Sequence, residues 1–271
     1  MQKITLTPKA DEKYLVLEAD CVTPDTFAGK TNADIAALQV WEGNTPWPLG
    51  KFFDVHGSGE GATGPADIAI VVNGDAPMVK YIGCKMTDGA ILVKGSTDMY
   101  VGAWMKGGSI IVKGNVDSFC GIQMEGGNLV IEGNAKNHLG GSYRGDWRGM
   151  KGGNIVVNGN VGNDTGEYMM GGTITIHGNT DINVGIHAGR GNGPKDVAGK
   201  IVVYGNSKGR VGGQMIRGNI YVLGKINAMM PGFTLKETKE VELDGDGKKT
   251  LFNVYQGDKG EAGKGTLYVK A

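Results

Sequence analysis

The chain lacks the residues that mark several large classes of protein. It has 3 cysteines and 8 prolines among 271 residues, and its 28 basic side chains are balanced by 28 acidic ones. Cys21, Cys84 and Cys120 are far apart, with no Cys-x-x-Cys pair. This spacing argues against an iron–sulfur cluster, a zinc knuckle or a disulfide framework. A neutral chain also offers no electrostatic footprint for nucleic acid or an anionic membrane, so we expect neither as a partner.

Membrane and targeting segments are missing from the pattern as well. No apolar run approaches the ~20 residues that cross a bilayer. The first residues, Met1 to Leu6, contain no apolar signal core. The expected location is therefore the cytoplasm.

Glycine, in contrast, is abundant. The chain has 49 glycines, about two and a half times the usual ~7%. Collagen would need far more proline, and a disordered chain would not be 40% hydrophobic. The composition therefore predicts a regular fold with many tight turns that need positive φ.

A seven-residue unit bounded by glycines recurs through the middle of the chain. Its first glycine stands at positions 89, 108, 127, 153, 172, 199 and 218, so the intervals are 19, 19, 26, 19, 27 and 19 residues. A degenerate copy, Ala66 to Gly74, precedes them. Two further rows keep the same phase: glycines at positions 83, 102, 121, 140, 166, 185 and 212, and methionines at positions 86, 105, 124, 150, 169 and 215, with Asp196 in the methionine place of one coil.

Within each unit, apolar residues alternate as they do in a strand. One unit cannot bury its apolar face alone, but stacked units form a continuous core. The pattern predicts an all-β fold, a right-handed parallel β-helix of 19-residue Gly-x-Ile-x-Val-x-Gly coils. Five strands end in Gly-Asn, and asparagine both tolerates the left-handed region and can form hydrogen-bonded rungs along a stack. The predicted inward pairs are Ile70/Val72, Ile91/Val93, Ile110/Val112, Leu129/Ile131, Ile155/Val157, Ile174/Ile176, Ile201/Val203 and Ile220/Val222.

The repeat also sets the predicted domain organisation. Residues 1–65 form a non-repeat amino-terminal segment and cap, residues 66–224 the β-helix, and residues 225–271 a carboxyl-terminal cap, because a solenoid needs closed ends. Strands are expected at 3–8 and 14–22, and a short helix at 31–38 capped by Thr31 or Asn32. In the last segment we expect strands at 240–243, 250–255 and 266–270.

The repeat contains no recognisable catalytic or metal-ligating constellation. His138 and His177 align with outward positions of other coils, and His56 and His187 have no histidine at a metal-ligand spacing. Cys120 aligns with apolar residues, so we expect it in the core, where burial would raise its pKa. The methionine row is interpreted as an apolar column, because methionine fills irregular gaps. The sequence therefore predicts no catalytic and no metal-binding residue in this chain.

Two insertions interrupt the repeat and hold its most unusual side chains. Insertions in a solenoid project as loops, often on a binding face, and Trp and Arg are enriched at interface hot spots. The expected partner or ligand contacts are Tyr143, Arg144, Trp147 and Arg148 in the first insertion, and His187 and Arg190 in the second.

One outward strand position is apolar where a solvated face would be polar. Stacked at ~4.8 Å, its residues would form a stripe on the order of 34 Å long, and monomers rarely expose such a patch. We predict that this interface stripe is covered by a partner subunit, by a second copy of the chain or by its own terminal segments. Its apolar members are Val71, Leu92, Ile111, Val130, Val156, Val202 and Tyr221, with Thr175 as the polar exception.

The 19-residue unit resembles the β-helical domain at the carboxyl end of the large subunit of glutamate synthase. A closer similarity is to the C subunit of formylmethanofuran dehydrogenase, and it covers about residues 40–230. It is carried by Trp41-Glu42-Gly43-Asn44, by Pro48-Leu49-Gly50-Lys51-Phe52-Phe53-Asp54-Val55-His56-Gly57 and by the insertion from Tyr143 to Gly153. Two alternatives stay open: the C subunit of a formyltransferase/hydrolase complex of methylotrophic bacteria, and a stand-alone glutamate synthase β-helix domain.

The resemblance implies a structural, scaffold subunit without an active site of its own. The complex it implies is an oxidoreductase that reduces carbon dioxide and forms formylmethanofuran in methanogenesis. Other subunits would hold a tungsten- or molybdenum-pterin, iron–sulfur clusters and a dinuclear metal site, and this chain would hold no cofactor. Its expected partners are those subunits and a second copy of itself.

Overall fold

The computed structural model describes residues 1–10, 15–190, 199–243 and 245–271. Within these ranges the chain is mostly β, as predicted, with short helices α1 (Pro24–Phe27), α2 (Asn32–Ala36) and α3 (Leu49–Phe52) and 3-10 turns at Pro65–Asp67 and Lys259–Glu261. The strands are β1 (Gln2–Pro8), β2 (Leu17–Glu18), β3 (Gln39–Glu42), β4 (Thr45–Pro48), β5 (Phe53–His56), β6 (Ile68–Val72), β7 (Val79–Lys80), β8 (Ala90–Val93), β9 (Ser109–Val112), β10 (Asn128–Ile131), β11 (Asn154–Val157), β12 (Thr173–Ile176), β13 (Thr180–Ile182), β14 (Lys200–Val203), β15 (Ser207–Gly209), β16 (Asn219–Val222), β17 (Thr234–Glu242), β18 (Lys249–Gly257) and β19 (Gly265–Lys270).

In the described part of the chain, 13 strands form one large open sheet, in the order β17-β18-β19-β16-β14-β12-β11-β10-β9-β8-β6-β1-β5. From β6 to β16 the neighbouring strands are parallel. Each register pair joins equivalent positions of consecutive units: Ile91 pairs with Ile110, and Ile110 with Leu129. The predicted inward pairs are all buried. The repeat therefore places its apolar pairs on one face of the sheet, as predicted.

Two further rows of backbone contacts run beside the sheet. In one row, parallel bridges link Val116 to Ala135 and Ala135 to Val161, and farther along β13 pairs with β15. In the other row, the second glycine of each unit donates to the preceding unit, as Gly121 does to the carbonyl of Val101 at 2.8 Å. The period of the sequence is thus also the period of the structure.

The methionine row lies in the core. Met86, Met105, Met124, Met150, Met169 and Met215 are each at most 1% exposed. Cys120 is also buried, and its burial raises the pKa of the thiol to about 12. Both predictions are confirmed. Asp196, the exception in the methionine row, lies outside the described residues.

The Gly-Asn steps form a ladder of hydrogen bonds from one unit to the next. The backbone N–H of each later asparagine donates to the side-chain oxygen of the preceding one at 2.7–2.8 Å. The predicted rungs are confirmed, but none of these asparagines has positive φ. The asparagines of the ladder are Asn115, Asn134, Asn160, Asn179 and Asn206.

The amino-terminal segment extends the large sheet. Strand β1 pairs in parallel with β6 and antiparallel with β5, while β2, β3, β4 and β7 form a separate small sheet. The predicted helix is present as α2, with a capping box at Thr31. The strand predicted at 14–22 is shorter, because the backbone turns after Glu18, where the Val22 N–H donates to the Ala19 carbonyl at 3.0 Å, and the Thr23 side chain then caps α1. Tyr14 lies outside the described residues.

At the other end, three strands follow the last unit of the repeat. Strand β19 runs parallel to β16, and β18 and β17 continue the sheet antiparallel. These strands contain the predicted segments, except that β17 ends one residue before Leu243. Phe252 of β18 is fully buried and packs edge-on against Tyr221 and Tyr268, with ring centroids 5.9 and 6.1 Å apart.

Candidate functional site

Two columns of residues with left-handed backbone run along one side of the stack. They stand two positions before and two positions after the second glycine of the unit, and their φ values lie between 50° and 67°. Left-handed backbone is costly for residues other than glycine, but hydrogen bonds to the next unit hold it, as from Trp104 N–H to the Ile122 carbonyl at 2.9 Å. The first column is Tyr81, Tyr100, Phe119, His138, Asp164, Asn183 and Arg210; the second is Lys85, Trp104, Gln123, Tyr168, His187 and Gln214.

The first column begins with a stack of flat rings. Tyr81 lies 4.6 Å from Tyr100, Tyr100 lies 5.2 Å from Phe119, and Phe119 lies 4.6 Å from His138, all nearly parallel. This spacing is close to the ~4.8 Å between neighbouring strands, so the rings stack because the units stack. Burial raises the pKa of Tyr81 and of Tyr100, which keeps both phenols protonated.

The ring stack ends at His138 beside two carboxylates. His138 Nδ1 lies 3.1 Å from Glu167 Oε2, and Nε2 lies 3.8 Å from Asp164 Oδ2. All three side chains are about one quarter exposed. The imidazole ring therefore lies between two carboxylate side chains.

The first insertion is held by polar contacts at its base. Trp104 Nε1 donates to Gln123 Oε1, and Gln123 Nε2 donates to Asp146 Oδ2 and to the Arg148 carbonyl, both at 2.8 Å. Arg148 forms a fork with Asp146, at 2.8 Å from Nε and 2.7 Å from Nη2. Arg148 and Gln123 together hold the pKa of Asp146 well below its usual range.

Above this base lies a cleft of about 490 Å³, which we call the loop cleft. It is lined by ring, polar and charged side chains from the insertion and from both columns. The lining residues are Phe119, His138, Ser142, Tyr143, Arg144, Gly145, Asp146, Trp147, Glu167 and Tyr168.

A second cleft of about 520 Å³ lies on the same side, next to the small sheet, and is lined by Glu18, Asp20, Trp41, Tyr81, Cys84, Lys85 and Trp104. Tyr143 connects the two clefts, because its ring lies 5.8 Å from Trp104 and 6.4 Å from Tyr100. Among the described residues, the aromatic side chains classed as exposed are Trp41, Tyr143 and Trp147, and all three line these clefts. We call the two clefts together the aromatic face.

The residues predicted as contacts fall into two groups. Tyr143, Arg144 and Trp147 line the loop cleft, whereas Arg148 pairs with Asp146 within the insertion. This pairing leaves Arg144 as the arginine that faces the cleft.

The second insertion is described only as far as residue 190. His187 stacks on Tyr168 at 4.6 Å and so lies next to the loop cleft. Burial, with help from the nearby Arg190, lowers the pKa of His187. Arg190 pairs with Glu261 at 2.5 Å, so it ties the insertion to the carboxyl-terminal segment. Residues 191–195 of the insertion lie outside the described residues.

The interface stripe is partly covered by the chain itself. Val71 and Val202 are 8% and 3% exposed. Leu92, Ile111, Val130, Val156 and Tyr221 are half-buried. Phe252 packs on Tyr221 at the β16 end, while Ile111 and Val130 near the middle keep part of their surface open.

Sequence reasoning found the insertion but missed the surface beneath it. Tyr81, Trp104 and Gln123 were not singled out, although they recur at a fixed offset from the second glycine. The signal that the sequence contains is this fixed offset of two residues from the second glycine. In the ranges that the structure covers, no group of three or more His, Cys, Asp or Glu side chains is placed to hold a metal ion, and no helix is long and apolar enough to span a membrane.

The known proteins that are similar in sequence to this chain include several C subunits of formylmethanofuran dehydrogenases. The C subunit of the tungsten-containing formylmethanofuran dehydrogenase 2 of Methanococcus maripaludis is 45% identical over 267 residues, which are 98% of this chain and 90% of that protein. The corresponding protein of Methanothermobacter thermautotrophicus is 46% identical over 99 residues. The C subunit of the molybdenum-containing formylmethanofuran dehydrogenase 1 of Methanosarcina barkeri is 41% identical over 99 residues. These two shorter matches span about a third of each relative, 36% and 32%.

The fold has a counterpart among solved structures. A chain of the formyltransferase/hydrolase complex from Methylorubrum extorquens, crystallised with methylofuran, superposes with a TM-score of 0.85 at 24% identity, covering 98% of this chain and 99% of that one. No family model matches the chain.

Proposed function

This chain belongs to the family of formylmethanofuran dehydrogenase C subunits, and we propose that it is the scaffold subunit of a complex of that kind. The observation that carries the proposal is the 45% identity that extends over 98% of the chain. The activity of the complex would be the reduction of carbon dioxide and the formation of formylmethanofuran, in the cytoplasm. In this role the chain contributes binding surfaces, and other subunits contribute the chemistry.

The architecture suited to that role is a right-handed parallel β-helix. Three rows of contacts with one period support it: the large sheet, the row through Val116 and Ala135, and the row of second glycines. Residues 66–224 would form the helix. Residues 1–65 and 225–271 would cap its ends, since β1 and β19 add to the first and last strands of the repeat.

The cofactors belong to the partners in this proposal. The relatives are named as subunits of tungsten- and molybdenum-containing enzymes. We place the metal-pterin, the iron–sulfur clusters and the dinuclear metal site in the other subunits. This chain would then act without an active site of its own.

Two surfaces are suited to partners. The aromatic face exposes tryptophan, tyrosine and arginine, the residue types most enriched at binding hot spots. It includes Tyr143, Arg144 and Trp147, with Arg148 and His187 beside it. The second surface is the open middle of the interface stripe, around Ile111 and Val130, where a partner subunit or a second copy would complete the burial of apolar area.

A pull-down of the tagged chain from its native source tests the scaffold role. We expect it to bring down subunits that carry a tungsten- or molybdenum-pterin, together with formylmethanofuran dehydrogenase activity. The chain purified alone should have no such activity. Recovery with formyltransferase subunits only, or formylmethanofuran dehydrogenase activity in the chain alone, would contradict the proposal.

A further inference from the structure

One positive charge in the loop cleft has no ion-pair partner among the described residues. Asp146 is bound by Arg148 and Gln123, and Glu167 is bound by His138. Arg144, by contrast, makes no ion pair with any described residue, and its guanidinium lies 5.6 Å from the centre of the Phe119 ring. Because the acidic groups are already engaged, Arg144 is the charged side chain without an ion pair among the described residues that line the cleft.

The rest of the cleft is suited to a flat apolar group. The rings of Phe119, Tyr143, Trp147 and Tyr168 line it, and aromatic side chains bind flat groups by offset or edge-on stacking. Its volume, about 490 Å³, lies within the ~300–1,000 Å³ typical of small-ligand sites. Ser142 also lines the cleft, and its hydroxyl has no hydrogen bond to a described residue.

We propose that the loop cleft binds a carboxylate carried on a flat apolar group, with Arg144 pairing with the carboxylate and the rings enclosing the flat part. A guanidinium matches a carboxylate with two parallel hydrogen bonds. A phosphate dianion fits less well, because one cation would face two negative charges while Asp146 and Glu167 lie close by. The insertion is already held in shape by Gln123, so binding requires little further ordering.

The proposal is tested on the full-length chain with indole N–H signals in an NMR titration. The chain has 4 tryptophans. Trp147 lines the loop cleft and Trp104 contacts the cleft residue Tyr143, whereas Trp47 lies on a different surface. The ligands are 2-naphthoate, 2-naphthyl phosphate and 2-naphthylmethylamine, which share one ring system. We expect 2-naphthoate to shift Trp147 and Trp104 but not Trp47. The phosphate should bind about tenfold more weakly, and the amine should give no localised shift.

Variants at Arg144 separate charge recognition from simple stacking. Arg144→Gln should weaken 2-naphthoate binding about tenfold or more, and Arg144→Lys should weaken it less because the charge is kept. Arg210→Gln makes the same change of charge in an exposed side chain elsewhere in the first column and should leave the affinity within twofold. Equal affinity in Arg144→Gln, equal binding of the amine, or shifts spread over all four tryptophans would overturn the proposal.

The carboxylate and the flat group belong either to one free small molecule or to a partner protein that presents a carboxylate next to an aromatic side chain. In the assembled complex, exclusion of 2-naphthoate together with weaker assembly of Arg144→Gln identifies the partner as the source. Unchanged binding and assembly identify a free ligand. Absence of a localised shift in the chain alone refutes the cleft proposal whatever the pull-down recovers, so its failure can be told apart from failure of the scaffold role.

Discussion

The side chain of Gln123 should decide whether the first insertion keeps its shape. Gln123 is 8% exposed and joins Trp104 on one side to Asp146 and the Arg148 carbonyl on the other. Replacing Gln123 with alanine removes all three bonds. Alanine also has a Cβ, so the cost of the left-handed backbone conformation at this position stays similar. The change therefore acts on the polar contacts of the side chain.

The expected magnitude follows from those bonds. The bond to the Asp146 carboxylate is charge-assisted and contributes about 1.5–3 kcal/mol, and each of the two neutral bonds about 0.5–1.5 kcal/mol. They form one network, so their contributions do not simply add. We expect opening of the insertion to become easier by about 2–4 kcal/mol, which is roughly 30- to 700-fold in the opening equilibrium.

Hydrogen exchange of the insertion amides measures this directly. The Asp146 N–H donates to the Tyr143 carbonyl at 2.9 Å, and the Arg148 N–H donates to Asp146 Oδ1 at 3.1 Å, so both exchange when the insertion opens. The matched control is Gln214→Ala, which makes the same substitution at the same column position, where the side chain is exposed. If Gln123→Ala protects the two amides as well as Gln214→Ala does, the insertion is held by something other than Gln123.

Three further outcomes are expected. Met124→Asp puts an unpaired charge at a fully buried position and should lower the free energy of unfolding by several kcal/mol. Lys94→Asp, at an exposed position, should change it by about half a kcal/mol or less. Equal losses in thermal or urea unfolding would show that the assignment of inward and outward residues is wrong. Burial raises the pKa of all three cysteine thiols to about 11 or 12 from 9.0, so the thiolate fraction at pH 8 is small. The native chain should therefore react slowly with a disulfide reagent until it is unfolded, and a fast reaction of the native chain would contradict this. Replacing Ile111 and Val130 together with lysine should release a partner subunit while the isolated chain still folds, as judged by co-purification and circular dichroism; an intact assembly would remove the stripe from the interface.

Much of the fold could be predicted because one physical requirement repeats. Each unit must bury the same two apolar residues, so Ile110 and Val112 recur as equivalent pairs and reveal both the strands and their register. The methionine row and Cys120 followed from the same alignment. The short strand β2 and helix α1 could not be predicted this way, because they occur once and depend on the local cap at Thr23.

The candidate site was predictable only in part. The insertion stood out because it broke the period, and Tyr143, Arg144 and Trp147 do line a cleft. The pairing of Arg148 with Asp146 could not be read from the sequence, since it depends on how Gln123 from the preceding unit meets the insertion. A sequence pattern gives the phase of a residue within its own unit, whereas contacts between an insertion and its neighbours depend on the folded path of that insertion.

The position of the cleft follows from the repeat and its interruption together. The distance between neighbouring strands is close to the distance between stacked aromatic rings. A column position outside the core can therefore hold a ring in each successive unit, as it does from Tyr81 to His138. The next interval is longer because the insertion intervenes, and the column continues with Asp164 instead of a ring. The last ring of the stack therefore meets carboxylates on one side and the insertion above it. A regular stack would present the same surface at every unit, whereas the first of the two longer intervals supplies a cleft with ring walls and with a guanidinium that makes no ion pair with a described residue. This is why we propose the aromatic face, more than the large sheet, as the surface that recognises a specific ligand or partner.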